Sequence, residues 1–98
     1  MRSQAVDGIL QVLADRYRRS VVRYLADESD GVASAGEIAG HLASQGEMPH
    51  EDALINLEHV ILPTLSERGI VEYDADTEEV RYQSHTLVEE LLDTLDRE

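Results

Sequence analysis

Apolar positions along the chain recur at three- and four-residue steps, then briefly in alternation, then at helical steps again. Ala5, Val6, Ile9, Leu10 and Leu13 predict a helix over about residues 4–14, which Gly8 weakens slightly. Tyr17, Val21, Tyr24 and Leu25 predict a second over 16–26, and Glu28-Ser29-Asp30-Gly31 reads as a turn. Ser34-Ala35-Gly36-Glu37 has the form of a capping box, in which the serine oxygen and the glutamate each satisfy a backbone N–H of the other residue. It opens a helix over 35–45 with Ile38, Ala39, Leu42 and Ala43 inward. Pro49 suits the first turn of a long helix over 50–68, whose buried stripe is Leu54, Leu57, Ile61 and Leu65, with Leu62 at its margin. Pro63 falls inside this helix, nearly opposite the stripe. It removes one donor and is expected to bend the axis. Gly69 is the expected stop.

The period then changes to two. Residues 70–74 and 79–83 read as strands joined by a tight connection at Ala75-Asp76-Thr77-Glu78, and together they predict a hairpin. Leu87, Val88, Leu91, Leu92 and Leu95 return to helical spacing and predict a last helix over 86–96. The expected fold is mainly α with a small β-hairpin, in the order α-α-α-α-β-β-α, as one domain over residues 1–98. That is the order of a winged helix-turn-helix domain.

Composition narrows the chemistry. A chain of 98 residues holds one core but not a core plus a deep substrate cleft. There is no cysteine, so disulfides and thiolate metal sites are excluded, in keeping with a reducing compartment. The first residues lack the continuous apolar stretch of a signal peptide, and no run approaches a membrane span, so a cytoplasmic protein is expected.

The charge is −13, with 21 acidic residues against 8 basic ones, all of them arginine. The acids are spread between helically spaced apolar residues, which implies a folded acidic surface rather than a tail. Such a surface repels itself in dilute buffer, but at molar salt the Debye length falls to about 3 Å. With lysine absent, a halophilic cytoplasm is expected; the alternative is an ordinary acidic protein with a basic partner.

The stretch from His59 to Asp74 joins a Leu-x-x-Leu pair, a short polar gap, Gly69-Ile70-Val71 and an acidic strand end. It resembles the recognition helix and first wing strand of ArsR-like regulators. The whole chain, from about Ala5 to Leu95, resembles a haloarchaeal family of small ArsR-like winged helix domains. The matching segments are Arg18-Arg19, His59 to Leu65 with its Leu62-Pro63, the Tyr73 to Asp76 turn, and Val80-Arg81-Tyr82. Such domains commonly carry a second histidine where this chain has Ile61. The resemblance implies the winged fold and dimerisation through the first and last helices. The fold itself serves both DNA binding and protein contacts.

His41, His50, His59 and His85 form no compact ligand motif, so no metal or cofactor is expected. No phosphate loop, nucleophile elbow or His-Glu-x-x-His motif occurs. With this many acids, carboxylate pairs arise by chance, and an enzyme is not expected. On the long helix, Asp52, Asn56, His59, Pro63 and Ser66 lie opposite the buried stripe. Asn56 suits adenine, and His59 suits a phosphate or base edge. No arginine shares that face, and Asp52 and Glu67 lie on or near it.

Arg16, Arg19 and Arg23 form a basic stripe on the second helix, a candidate phosphate contact; the alternative is pairing with Asp15, Asp27 or other carboxylates. Arg81 is a candidate wing contact, or a cross-strand partner of Glu72 or Asp74. Val6, Leu10 and Leu13 with Leu87, Val88, Leu91, Leu92 and Leu95 offer a candidate homodimer surface, or simply close the monomer core. The expectation is a transcription-type regulator that binds double-stranded DNA. The rival is a protein-interaction module that has kept the fold and lost DNA.

Overall fold

The computed structural model describes the backbone of residues 2–46, 48–83 and 86–96. Side chains are described from Asp7 to Leu95, apart from Glu47, Ser84 and His85. Helix α1 (Arg2–Leu13) and helix α2 (Arg16–Asp27) are separated only by Ala14 and Asp15. Asp15 starts α2 by accepting from the Tyr17 backbone N–H at 2.9 Å.

The tail of α1 is closed by the arginines of the next helix. Arg18 Nε donates to the Val12 carbonyl at 2.7 Å, and its Nη2 to Gln11 at 3.2 Å. Arg19 Nη1 donates to Leu13 at 2.9 Å and Ala14 at 3.4 Å. The last carbonyls of a helix lack intrahelical donors and hold the negative end of its dipole, so cationic donors there answer both needs.

After α2 the chain turns through Gly31 (φ 69°) into strand β1 (Val32–Ser34), which the apolar pattern does not predict. Its three residues are too few to show alternation. β1 pairs antiparallel with β3 (Glu79–Tyr82), which pairs with β2 (Val71–Asp74). The expected two-stranded hairpin is therefore two strands of a three-stranded sheet, in order β1-β3-β2.

Ser34 ends β1 and also caps helix α3 (Ala35–Ser44). Its Oγ accepts from the Glu37 N–H at 3.0 Å, and Glu37 Oε1 accepts from the Ser34 N–H at 2.9 Å. The capping box thus forms as its residues imply. A further N–H at this helix start, that of Ala35, donates to the Glu78 carbonyl on the β2–β3 turn at 2.8 Å.

The predicted long helix is present but not uniform. α4 (His50–Asn56) widens into a π-helical turn (Leu57–Ile61) and resumes as α5 (Leu62–Glu67). The Leu62 N–H reaches five residues back to the Leu57 carbonyl. Pro63, just beyond, has no N–H and would crowd the carbonyl four residues before it. The wider turn accommodates this within a continuous helix. The extra residue also shifts the phase of the stripe. Leu62, expected at the margin, is fully buried beside Ile61, while Leu54 is only half-buried. At the far end Gly69 adopts φ 72°, the Gly69 N–H bonds to Ser66, and the Ile70 N–H returns to Leu65 at 3.0 Å. This pattern ends the helix in the left-handed conformation that glycine adopts without strain.

Helix α6 (Thr86–Asp96) packs against α1, so the first and last helices are neighbours. The core runs from Ile9, Val12 and Leu13 of α1 through Val21, Leu25, Ile38 and Leu42 to Leu57, Ile61 and Leu65, with Val71 and Val80 closing it from the sheet. Each fully buried side chain of this kind stabilises the fold by about 1.5–3 kcal/mol relative to exposure.

The expected dimer surface divides as a result. Leu13, Val88 and Leu92 are buried in the chain's own core, so Leu13 and Val88 have no area left for a second copy. Leu10, Leu87, Leu91 and Leu95 remain half-buried on the outer side. The side chain of Val6 lies outside those described.

Candidate functional site

The outward face of the long helix carries Asp52, Ile55, His59, Val60, Pro63 and Ser66, all exposed. Asn56, expected on this face, is half-buried at its edge, and Ile55 holds the outward position instead. Ile55 is 58% exposed and Val60 49%, the only large apolar side chains so exposed among the described residues. They stand five residues apart, Ile55 in α4 and Val60 within the π turn.

The sheet lies beside this helix. The Tyr73 hydroxyl on β2 donates to Glu58 Oε2 in the π turn at 3.0 Å, tying the hairpin to the widened segment. Partial burial raises the Tyr73 pKa above that of an ordinary phenol, and the bond to Glu58 with the charges of Glu58, Glu78 and Asp74 adds to the shift. The hydroxyl therefore stays protonated, a donor throughout the neutral range.

The hairpin turn carries Asp74, Asp76, Glu78 and Glu79, with Glu78 in the left-handed region at φ 62°. Arg81 is the basic residue of these strands. Its register places Glu72 directly opposite, yet its Nη2 contacts Glu79 Oε1 at 3.4 Å, along its own strand. Residues two apart on a strand share one face, so the nearer partner is the intrastrand one. Both side chains are about half exposed, so the pair adds little to stability.

The arginines of α2 lie elsewhere. Arg16, Arg19 and Arg23 do share one side of α2, and with the C-terminal half of α3 they line a hollow. Ser20 in its lining donates to Gln45 Oε1 at 3.1 Å and lies 3.4 Å from His41 Nε2. The His41 ring rests against Tyr24, centroids 4.7 Å apart and planes tilted by 32°. Tyr24 also ionises above an ordinary phenol, through partial burial and then the charges of Glu28 and Glu37.

Arg81 sits across from Val32, before the first residue of α3, whereas Ser20 meets that helix at His41 and Gln45. Ten residues of helix separate Ala35 from Gln45, about 15 Å. The α2 stripe lines the hollow with His41 and Gln45, while Arg81 meets Glu79 on the hairpin. Arg18, the remaining arginine of α2, pairs with Asp15 at 3.4 Å in addition to closing α1.

Sequence reasoning missed Ile55 and Val60 as surface residues, because a uniform helix does not place both outward. It also missed His41, Ser20 and Gln45 as one cluster, since their proximity depends on how α2 and α3 pack. Among the described residues no three His, Asp or Glu side chains gather as a metal site, and no helix is long and apolar enough to cross a membrane.

No curated protein and no solved structure matches the chain. One family, described as a domain of unknown function (DUF7344), matches residues 10–81, from the middle of α1 to β3. Most of the chain lies within that match, and the chain belongs to the DUF7344 family.

Proposed function

We propose that the chain is a winged helix-turn-helix protein of the ArsR-like kind that binds double-stranded DNA as a homodimer and acts in transcription regulation. One observation carries this: α3 and α4–α5 are consecutive packed helices, and the β2–β3 turn is bonded to the first residue of α3. A reading helix and a wing are thereby held together, with the outward side of the helix open. In this reading His59 and the edge residue Asn56 meet base edges, Ile55 and Val60 make apolar contact with thymine methyl groups, and Arg81 meets the backbone. Contacts of shape and apolar fit suit a salt-rich medium, where counterion release adds little.

The dimer would form through the outer side of α1 and α6, where Leu10, Leu87, Leu91 and Leu95 are half-buried in a single chain. Selection from a random pool of duplexes in molar potassium chloride tests the reading, with His59→Ala and Arg81→Gln as controls. His59→Ala should relax preference at one position, and Arg81→Gln should weaken all duplexes alike.

A second reading, a protein-interaction module, is favoured by the character of the same face. Two exposed aliphatic side chains lie among Glu51, Asp52, Glu58 and Glu67, which fits a basic amphipathic partner. A selection that enriches no sequence would leave this reading standing.

A further inference from the structure

Among the described residues, the lining of the hollow between α2 and α3 is richer in arginine than the rest of the molecule. The chain carries −13, yet among the described residues this hollow is lined by Arg16, Arg19 and Arg23 together with Asp27 and Glu28. The other large hollow, on the sheet, is lined among the described residues by Glu72, Asp74, Glu79 and Arg81.

We propose that the α2–α3 hollow binds a small phosphate monoester, its phosphoryl group held by the arginines. The proposal goes beyond the DNA reading, because it assigns these arginines to a small ligand rather than to the duplex. A volume of about 580 Å³ suits a small molecule. Guanidinium forks match the paired oxygens of a phosphoryl group, and they hold their charge at every relevant pH. Arg19 is anchored through Nη1 on the carbonyls of Leu13 and Ala14, which orients its five-donor group in advance.

The Ser20 hydroxyl donates to Gln45 Oε1 at 3.1 Å and lies 3.4 Å from His41 Nε2. The Tyr24 ring packs against the imidazole and fixes its plane.

The hollow is polarised along α2. Arg16, Arg19 and Gln45 lie towards one end, and Asp27 and Glu28 towards the other. The carboxylates repel a phosphate and accept hydrogen bonds. The non-phosphate end of the ligand is therefore a hydroxyl or amine donor.

The test is an amide NMR titration of the full chain in molar potassium chloride, first with inorganic phosphate and then with glycerol 3-phosphate. Saturable shifts are expected around Ser20, Tyr24, His41 and Gln45, with glycerol 3-phosphate the tighter of the two. The Arg16→Gln/Arg23→Gln pair, which spares the helix-closing Arg19, should weaken both by tenfold or more. Glu28→Gln should tighten phosphate and narrow the gap between the ligands. If the double variant loses its helical circular dichroism, Arg23→Lys replaces it. A tenfold loss there supports the fork geometry, and unchanged affinity overturns it.

Scattered or non-saturating shifts overturn the proposal. So does a DNA duplex that moves the same amides and competes with phosphate, which would return these arginines to the backbone contact. The titration contains no DNA, so its failure and the failure of DNA selection are read separately.

Discussion

Arg18 and Arg19 show how a short motif can serve structure before function. Both reach back to the carbonyls that end α1, and Arg18 does so at 2.7 Å. A hydrogen bond from a charged donor contributes about 1.5–3 kcal/mol when well enclosed, and less when partly exposed as here. Arg18→Ala is accordingly expected to lower stability by about 1 kcal/mol, read from urea denaturation, without changing self-association. A variant as stable as the wild type would remove the closing role. Arg18 lies outside the Arg16-Arg19-Arg23 stripe by helical phase, and a carbonyl partner six or seven residues away leaves no mark in composition or period.

Tyr73 gives a second residue-scale prediction, with its sign set by linkage. Its pKa in the folded chain lies above the unfolded value of about 10, so the folded state holds this proton more tightly. The stabilisation is fully present below about pH 10 and is lost as pH rises through the folded pKa. Tyr73→Phe should therefore be less stable than wild type at pH 8, having lost the bond to Glu58, and should show a shallower decline above pH 10. Tyr24 shifts the same way and keeps part of the decline in the variant. Parallel stability curves for the two proteins across pH 8–11 would contradict the assignment.

At the scale of elements, much of the organisation is legible in the chain. The capping box at Ser34 and the glycine stop at Gly69 form as their local chemistry implies, and α2, α6 and the hairpin strands begin and end within a residue or so of their expected limits. Local rules suffice there because the partners lie within a few residues of one another. Two features escaped. β1 is defined by its pairing with β3, a contact between residues almost fifty apart, and it is too short to carry a period. The π turn arises where Pro63 meets a continuous helix. Its presence was readable as a disturbance, but its form, and hence the inward turn of Leu62 and the exposure of Val60, was not.

Helices α1 and α6 carry the element-scale prediction. The inner leucines of the stripe serve the chain's own core, so only the outer ones can test association. Leu91→Glu with Leu95→Glu, both at half-buried positions, should give a helical monomer where the wild type is a dimer. Light scattering checks mass, and circular dichroism checks that the helices persist. A wild type that is monomeric at high concentration would remove the dimer from the proposal.

For the whole molecule, charge sets the conditions under which everything else is observed. With −13 distributed over 98 residues, stability should rise as salt screens the surface, from poor folding in dilute buffer to a maximum at molar potassium chloride. A melting temperature independent of salt would count against an adapted acidic surface. The same charge explains why the candidate site was only partly legible. Arginines stand out against such a background, but which of them close a helix, line a hollow or meet a neighbouring glutamate depends on packing.

The central claim is that the open face of α4–α5 and the adjoining hairpin read DNA. Its most direct measurement is duplex selection in molar potassium chloride, followed by titration of the enriched site against a scrambled duplex. An enriched two-fold symmetric site is expected, with half-sites about one helical turn apart and preference relaxed at one base pair by His59→Ala. No enrichment, with wild type and His59→Ala binding both duplexes equally, would contradict it.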